Sequence, residues 1–176
     1  MRLPFLFSYL SLKNIVVNLI YRKVKSKDNP FLATMIRNVI EEFDAPRTGT
    51  VYEDSSTDHL FELFSKSNSV LWVAELNNEP VGCCGLYPTE GLASNYAELV
   101  KFYLSHKARG KGIGKELMIR TMNSAKELNY EYIYLESLPG FSKAISMYKE
   151  SGFKQLDSPL GNSGHSSCDV WMLKKV

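Results

Sequence analysis

The amino-acid sequence predicts a mixed α/β fold in which helices pack on a single central sheet. The predicted elements follow the order strand, two helices, a run of strands, helix, strand, helix, strand. Helices separate the later strands, and a parallel pair of strands needs a crossover connection of that kind. The 176 residues are 44% hydrophobic and 23% charged, which is typical of one globular domain and excludes a disordered chain.

Each element is predicted from its pattern of apolar and polar residues. Alternating or short apolar runs predict strands at Asn18–Lys25, Val70–Leu76, Pro80–Tyr87, Ala97–Ser105, Tyr132–Glu136 and Asp169–Lys174. Apolar residues at helical spacing predict helices at 30–43, 58–66, 113–128 and 142–150. Asn29 is expected to be the N-cap of the first helix, with Pro30 at its first position, and Gly152 is expected to end the last helix.

The first 18 residues are expected to lie outside the folded domain, which is predicted at residues 19–176. Residues 3–12 are apolar behind Arg2, as in a signal peptide, but no small-residue cleavage site follows. The stretch is also too short to span a bilayer. A poorly ordered extension, a helix packed on the domain and a weak membrane contact all stay open, and the first two are favoured.

Charge and cysteine content exclude several classes of protein. The net charge is +2, so bulk charge gives no support to nucleic-acid binding. The three cysteines, Cys83, Cys84 and Cys168, are odd in number and form no CxxC pair. A disulfide framework and a zinc site are therefore disfavoured, no metal is predicted, and the reducing cytoplasm is the expected location.

The most informative segment is Arg109-Gly-Lys-Gly-Ile-Gly114, between a predicted strand and a predicted helix. Its glycines let the backbone turn tightly, and its N–H groups lie at the positive end of a helix, which suits phosphate. The spacing does not match the GxGxxG of a dinucleotide-binding loop, and Lys115 precedes Glu116 rather than the Ser or Thr of a P-loop. A solvated basic loop is the alternative.

Two segments in the expected order resemble the GCN5-related N-acetyltransferase (GNAT) superfamily. Residues 109–114 resemble its R/Q-x-x-G-x-G/A signature, and residues 144–153 resemble its A-I-x-x-Y-x-x-x-G-F segment. The later run PLGNSGHSSCDVWM, at residues 159–172, resembles one bacterial subgroup. Over residues 19–176, the resemblance implies a mixed sheet of six to seven strands, about four flanking helices and a splayed pair of parallel strands.

The resemblance implies that acetyl-CoA binds as co-substrate in the gap between the splayed strands. The residues expected to contact it are Phe102, Tyr103 and Leu104 on the strand, and the backbone of Arg109, Gly110, Lys111, Gly112, Ile113 and Gly114 around the pyrophosphate. One position departs from the family pattern, because Phe141 stands where many members have an asparagine that contacts the cofactor.

The resemblance also implies acetyl transfer to an amine with the help of a general base and a general acid. A lysine-type amine, with a pKa of about 10.4, is protonated at neutral pH and must lose a proton before it attacks. Glu98 is the preferred base and Glu136 the second candidate. Tyr148 matches a tyrosine that protonates the departing thiolate, although packing would explain it too. His165 is a candidate proton carrier or a structural residue.

The predicted function is therefore an N-acetyltransferase that acts on a primary amine, with a small molecule preferred over a protein amine. A non-catalytic acetyl-CoA sensor is the second hypothesis, and the presence of both Glu98 and Tyr148 favours the enzyme. No membrane span and no nucleic-acid partner are expected, and the resemblance leaves a homodimer open.

Overall fold

The computed structural model describes residues 18–176, in which helices flank both faces of one seven-stranded sheet. The strands are β1 (Leu19–Lys23), β2 (Val70–Leu76), β3 (Glu79–Tyr87), β4 (Tyr96–Leu104), β5 (Tyr132–Ser137), β6 (Lys154–Leu156) and β7 (Val170–Lys175). The helices are α1 (Asn29–Glu42), α2 (Leu60–Leu63), α3 (Ile113–Glu127) and α4 (Ser142–Glu150). The predicted N-terminal extension, apart from Asn18, lies outside the described residues.

The strands are arranged in the order β1-β2-β3-β4-β5-β7-β6. All neighbours are antiparallel except β4 and β5, which are parallel and joined by the crossover helix α3. The predicted mixed sheet of six to seven strands with four helices and a parallel pair is confirmed.

The two parallel strands separate soon after they meet. Residues 96–98 of β4 pair with residues 132–134 of β5, and no pairing follows Glu98. Strand β4 nevertheless continues to Leu104 and β5 to Ser137. The second half of β4 therefore keeps one edge free of β5, and a gap opens between the two strands.

A bulge in β4 lies at the start of this gap. Val100 pairs with Gly85 and Tyr103 pairs with Cys83, so that two residues of β4 oppose Cys84 alone. Lys101 lies in the bulge with φ +53°, a conformation that non-glycine residues seldom adopt. Bulges of this kind bend a strand and redirect its side chains.

Apolar layers on both faces of the sheet fix the position of β4. On one face the layer includes Leu117 and Met118 of α3 and Tyr148 of α4. On the other face it includes Leu32 and Ile36 of α1. The gap between β4 and β5 is thus set in a packed frame rather than in mobile loops.

Three local expectations differ from the structure. Asn29 is the first residue of α1 rather than its cap, and its side chain instead accepts a hydrogen bond from the N–H of Phe61 at 2.8 Å. The predicted helix over residues 58–66 is reduced to α2, preceded by a 3₁₀ turn at Ser55–Asp58. The edge strand β6 was not predicted, because three residues are too few to show alternation.

Candidate active site

A cavity of about 430 Å³ is bounded by β4, β5 and the starts of α3 and α4. Gly110, Gly112 and Gly114 line one part of it. Glu98, Glu136 and His165 line another part. One continuous space therefore joins the predicted phosphate loop to the predicted acid–base groups.

The glycine loop leaves backbone donors free at the start of α3. Gly110 and Gly112 have φ values of +72° and +76°, and a Cβ on either would meet no atom within 4 Å. The first bond that closes α3 runs from the N–H of Glu116 to the carbonyl of Gly112 at 3.1 Å. The N–H groups of the residues between them have no acceptor inside the helix, which makes this end suitable for an anion.

Arg109 fastens this loop to the body of the protein. Its guanidinium donates to the Leu104 carbonyl at 3.0 Å and to Glu42 at 2.9 Å, and it lies 4.9 Å from the centre of the Phe43 ring. The backbone N–H of Arg109 donates to the His106 carbonyl at 3.2 Å. The Arg109 amide, expected at the pyrophosphate, is thus already paired, and within residues 18–176 the unpaired amides of the loop begin at Gly110.

The free edge of β4 presents backbone groups to the gap. The N–H of Ser105 donates to the Val81 carbonyl at 2.9 Å, and Leu104 is the next residue along the same ladder. Because hydrogen-bonded and non-hydrogen-bonded pairs alternate in an antiparallel ladder, the N–H of Leu104 points away from β3. Its side chain packs toward α3, since a Cβ on Gly114 would lie 3.2 Å from Leu104.

Tyr148 lies on α4 beside this edge. Its ring packs between Phe102 and Phe153, with ring centres 6.0 and 5.9 Å away. Burial raises the pKa of Tyr148 well above its usual value, so the phenol keeps its proton across the physiological range. Tyr148 also lines the cavity.

Glu98 is the last residue of β4 that pairs with β5. Its side chain is buried, with 3% of the residue exposed, and it accepts a hydrogen bond from the Thr89 hydroxyl. Burial raises the pKa of Glu98 to about 7, the Thr89 hydrogen bond opposes this rise, and the nearby charge of Glu136 adds to it. A carboxylate with this pKa can both take up and release a proton near neutral pH.

Glu136 has a different environment on the neighbouring strand. The Tyr134 hydroxyl donates to one carboxylate oxygen at 2.8 Å, and the Ser163 hydroxyl donates to the other at 2.7 Å. Donors on both oxygens fix the orientation of this carboxylate. The two glutamates therefore differ in their surroundings, since Glu98 is buried with one hydroxyl donor and Glu136 has a donor on each oxygen.

His165 lies close to these two carboxylates, at the same end of the cavity. One ligand-type atom from each of Glu98, Glu136 and His165 lies within 4.8 Å of the other two. By residue type this trio resembles a cation site, yet protein donors already bind Glu98 and both oxygens of Glu136. The structure thus brings together the three groups that sequence analysis proposed for proton transfer.

Two further charged residues at this end were not identified as site residues in the sequence. Lys101 in the β4 bulge is 6% exposed, and its ammonium donates to Asp54 at 2.9 Å and to Thr57 at 3.1 Å. A carboxylate of Asp54 also faces His165, with 3.7 Å between the nearest atoms. Sequence alone had no signal for this cluster, because it depends on the bulge and on a contact between loops far apart in the chain.

Other predicted residues take places around the cavity or outside it. Cys168 lines the cavity, and burial raises its pKa to about 12, so it stays a thiol. Phe141 also lines the cavity, where its ring packs against Phe43 with centres 5.2 Å apart. Arg47 lies outside the cavity and pairs with Glu41 at 2.9 Å on the surface.

Comparison with known sequences identifies the family of this chain. The profile of the acetyltransferase (GNAT) family matches residues 36–153, more than half of the chain. The chain belongs to this family. As a GNAT member it is an N-acetyltransferase, and the enzyme class predicted from the sequence is confirmed.

A relative known by sequence and one known by structure each match about nine-tenths of the chain. The chain is 34% identical over 158 residues to the uncharacterized N-acetyltransferase YjgM of Escherichia coli (strain K12), which covers 89% of this chain and 95% of that protein. A GNAT acetyltransferase from Staphylococcus aureus Mu50 superposes with a TM-score of 0.80 at 21% identity, over 90% of this chain and 99% of the other.

A second solved structure has a ligand in its crystals. The PaiA N-acetyltransferase from Thermoplasma acidophilum, in complex with coenzyme A, superposes with a TM-score of 0.69 at 22% identity, over 90% of this chain and 99% of that one. Both superpositions show the GNAT fold.

Between residues 18 and 176, no helix of this protein has the length and apolar character needed to cross a membrane.

Proposed function

We propose that residues 19–176 form an enzyme that transfers the acetyl group of acetyl-CoA to a primary amine. One observation carries this proposal: a single cavity extends from the glycine loop to the buried carboxyl of Glu98. The first region suits a phosphate-bearing donor and the second suits an amine that must lose a proton. The similar Thermoplasma enzyme was solved with coenzyme A, which supports the same donor here.

The residues around the cavity fit acetyl-CoA, which supplies an activated acetyl thioester when bound. Gly110, Gly112 and Gly114 offer N–H groups and an open surface to the pyrophosphate, since a Cβ at Gly110 or Gly112 would stand in empty space. The pantetheine arm would lie along the free edge of β4, at Phe102 and Leu104. The apolar side chains of these two residues exclude water from the thioester.

Glu98 acts as the general base in this proposal. An amine enters as its ammonium form, and the charge of Glu136 attracts it to this end of the cavity. The Glu98 carboxylate then accepts one proton from the amine nitrogen. Because the pKa of Glu98 is about 7, this carboxylate is available at neutral pH and is basic enough for the task.

Leu104 and Tyr148 complete the proposed machinery. The N–H of Leu104 points into the gap and donates to the acetyl oxygen as negative charge develops there. Tyr148 is protonated because of its burial, and it gives its proton to the departing sulfur. Packing between Phe102 and Phe153 holds the phenol in place for this step.

We propose a small-molecule amine rather than a protein amine as acceptor. The segment 159–169 crosses the acceptor end and is tied down on two sides. The N–H of Asn162 donates to the Glu90 carbonyl at 2.7 Å, and the Ser167 hydroxyl donates to the Thr48 carbonyl at 2.9 Å. Loops fixed across a site in this way favour a compact acceptor over an extended peptide.

Isothermal titration with acetyl-CoA tests the donor site. Wild-type protein should bind saturably, and Gly112→Glu should lose binding because the new charge repels phosphate. Gly112→Ala is the matched control, since it brings the backbone strain at φ +76° without the charge. Loss of binding in Gly112→Glu but retention in Gly112→Ala would support the loop as the phosphate site.

An amine panel assayed by release of the CoA thiol then separates an enzyme from a sensor. Tyr148→Phe should bind acetyl-CoA normally and lose turnover, whereas Tyr130→Phe should behave as wild type. Tyr130 is a buried tyrosine whose hydroxyl bonds to the Asn68 carbonyl, and it does not line the cavity. Absence of acetyl-CoA binding in folded wild-type protein would overturn the proposal.

A further inference from the structure

The ammonium of Lys101 is buried directly beside the acid–base groups and has no part in the mechanism above. The bulge in β4 turns this side chain inward, so that only 3% of it is exposed. Burial lowers the pKa of Lys101, and the Asp54 carboxylate opposes this effect. A buried lysine is costly unless it is paired, and the Asp54 carboxylate supplies this pairing.

Asp54 is held by several donors that fix its orientation. It accepts from the Lys101 ammonium at 2.9 Å, from the Ser56 N–H at 2.8 Å and from the Ser56 hydroxyl at 2.7 Å. His165 and Lys101 hold the pKa of Asp54 well below its usual range, so that it remains a carboxylate at all physiological pH values. The negative charge of Asp54 therefore has a fixed position.

That charge faces one nitrogen of His165. Nε2 of His165 lies 3.7 Å from Oδ2 of Asp54, which is beyond a hydrogen bond but close enough for a strong electrostatic effect. A ligand-type atom of His165 also lies within 4.8 Å of those of Glu98 and Glu136. The imidazole thus stands between the base and a permanently ionised carboxylate.

We propose that Lys101 and Asp54 are positioning residues that orient His165 as the acceptor of the proton that Glu98 removes from the substrate. Asp54 favours the tautomer that carries hydrogen on Nε2, which leaves Nδ1 free to accept a proton. Lys101 holds Asp54 in place and neutralises part of its charge. This inference rests on the proposed function, because it extends the path of the same proton.

Two protons leave the amine nitrogen during the transfer. The ammonium form gives the first proton to the Glu98 carboxylate, and the neutral amine then attacks the thioester carbon, so that the N–C bond forms. As the C–S bond breaks, Tyr148 gives its proton to the departing sulfur, and the nitrogen of the tetrahedral intermediate gives its second proton to the Tyr148 oxygen. The first proton passes from the Glu98 carboxyl to His165 and then to solvent, which returns Glu98 to its carboxylate form.

The charged and titratable groups that face this path come from several elements. Glu98 belongs to β4, Glu136 to β5, and Asp54 to the loop before α2. Lys101 lies in the bulge, and Cys168, whose thiol stays protonated, lies on the same C-terminal segment as His165. Three of these side chains, Asp54, Glu98 and Glu136, are acidic and lie near His165, and one, Lys101, is a buried cation.

Nitrogen-15 NMR of histidine-labelled protein tests the orienting role without any substrate. The chain has three histidines, His59, His106 and His165, so the signals can be assigned with single substitutions. At a pH where the imidazole is neutral, we expect His165 to carry its hydrogen on Nε2 in the wild type. Asp54→Asn should shift the tautomer ratio toward Nδ1–H.

The matched control for this substitution is Asp58→Asn. Asp58 lies in the same 3₁₀ turn region but pairs with Arg37 at 2.7 Å on the surface, away from the cavity. It should leave the His165 tautomer unchanged. If Asp54→Asn does not fold, the wild-type spectrum still decides, because a His165 that carries hydrogen on Nδ1 overturns the proposal.

Kinetics with an amine found in the panel give a second readout. Asp54→Asn and His165→Gln should each lower kcat by about 10- to 100-fold with an unchanged KM for acetyl-CoA. The double variant should be no slower than His165→Gln alone, because both substitutions interrupt one path. Effects that multiply would overturn the proposal. Failure to bind acetyl-CoA would instead reject the proposed function and leave the tautomer result standing.

Discussion

Glu98 shows how one residue can be tuned by its place in the sheet. It lies at the last paired position of two parallel strands, where the strands still exclude water but the gap has begun to open. Burial disfavours the charged form of the carboxyl and raises its pKa, and the Thr89 hydroxyl moderates this effect. The result is a group that can exchange a proton near neutral pH, which is what an amine acceptor requires.

Glu98→Gln should abolish the base while preserving the shape of the site. In the wild type, kcat/KM for the amine should rise with pH through about 7, because only the ionised form of Glu98 accepts a proton. The variant should lose about 10²- to 10⁴-fold in kcat/KM. The measurement is a pH–rate profile with acetyl-CoA saturating. Glu136→Gln should retain the pH-dependent limb, and loss of that limb in Glu136→Gln alone would assign the base to Glu136.

Glu98→Gln should lower activity but raise stability at alkaline pH. Because the pKa of Glu98 is raised from 4.5 to about 7 in the folded state, the folded protein binds the proton more tightly than the unfolded chain. The free energy of unfolding therefore falls as pH rises from 4.5 to about 7. Glu98→Gln should remove this loss and be more stable than wild type at pH 8, as measured by urea denaturation. Glu79→Gln, at an exposed ion pair with Lys107, is the control.

At the scale of elements, sequence analysis predicted the functional frame but not the bulge. The strand before the glycine loop and the helix after it show clear patterns because the signals are local. The bulge at Lys101 depends on how β4 aligns with β3, which residues 97–105 alone do not encode. For the same reason, the pairing of Lys101 with Asp54 was not predicted from the sequence.

Gly85 illustrates how tightly β3 is enclosed between its neighbours. A Cβ at this position would lie 2.8 Å from the Phe64 ring and 2.8 Å from the Val70 carbonyl oxygen. Since the backbone of β2 cannot move aside cheaply, we expect Gly85→Ala to lower the free energy of unfolding by about 1–3 kcal/mol.

Gly140→Ala is the matched control for this prediction. A Cβ there would meet nothing within 4 Å, and Gly140 does not need a left-handed conformation. Urea denaturation of both variants checks the difference. Equal stability of Gly85→Ala and wild type would mean that the β2–β3 contact is looser than the structure describes.

At the scale of the whole molecule, the two ends of the cavity differ in how far sequence could predict them. The donor end is built from one continuous strand–loop–helix segment, so a short motif was enough to find it. The acceptor end joins Asp54, Glu98, Glu136 and His165 from four separate segments. Sequence analysis proposed three of these residues singly, and only the fold shows that they meet.

This division of the cavity predicts how ligands stabilise the molecule. A donor that binds only the folded state adds about 2.7 kcal/mol at 100 times its Kd, which for a chain of this size raises Tm by about 5–10 °C. Acetyl-CoA should produce this shift in the wild type and in Glu98→Gln, because the acid–base groups do not hold the donor. Gly112→Glu should show no shift. Thermal unfolding followed by fluorescence measures all three, with ATP as the control ligand that lacks a pantetheine arm. A full shift in Gly112→Glu would place the donor elsewhere, whereas its loss in Glu98→Gln would mean that the two ends of the cavity are coupled through β4.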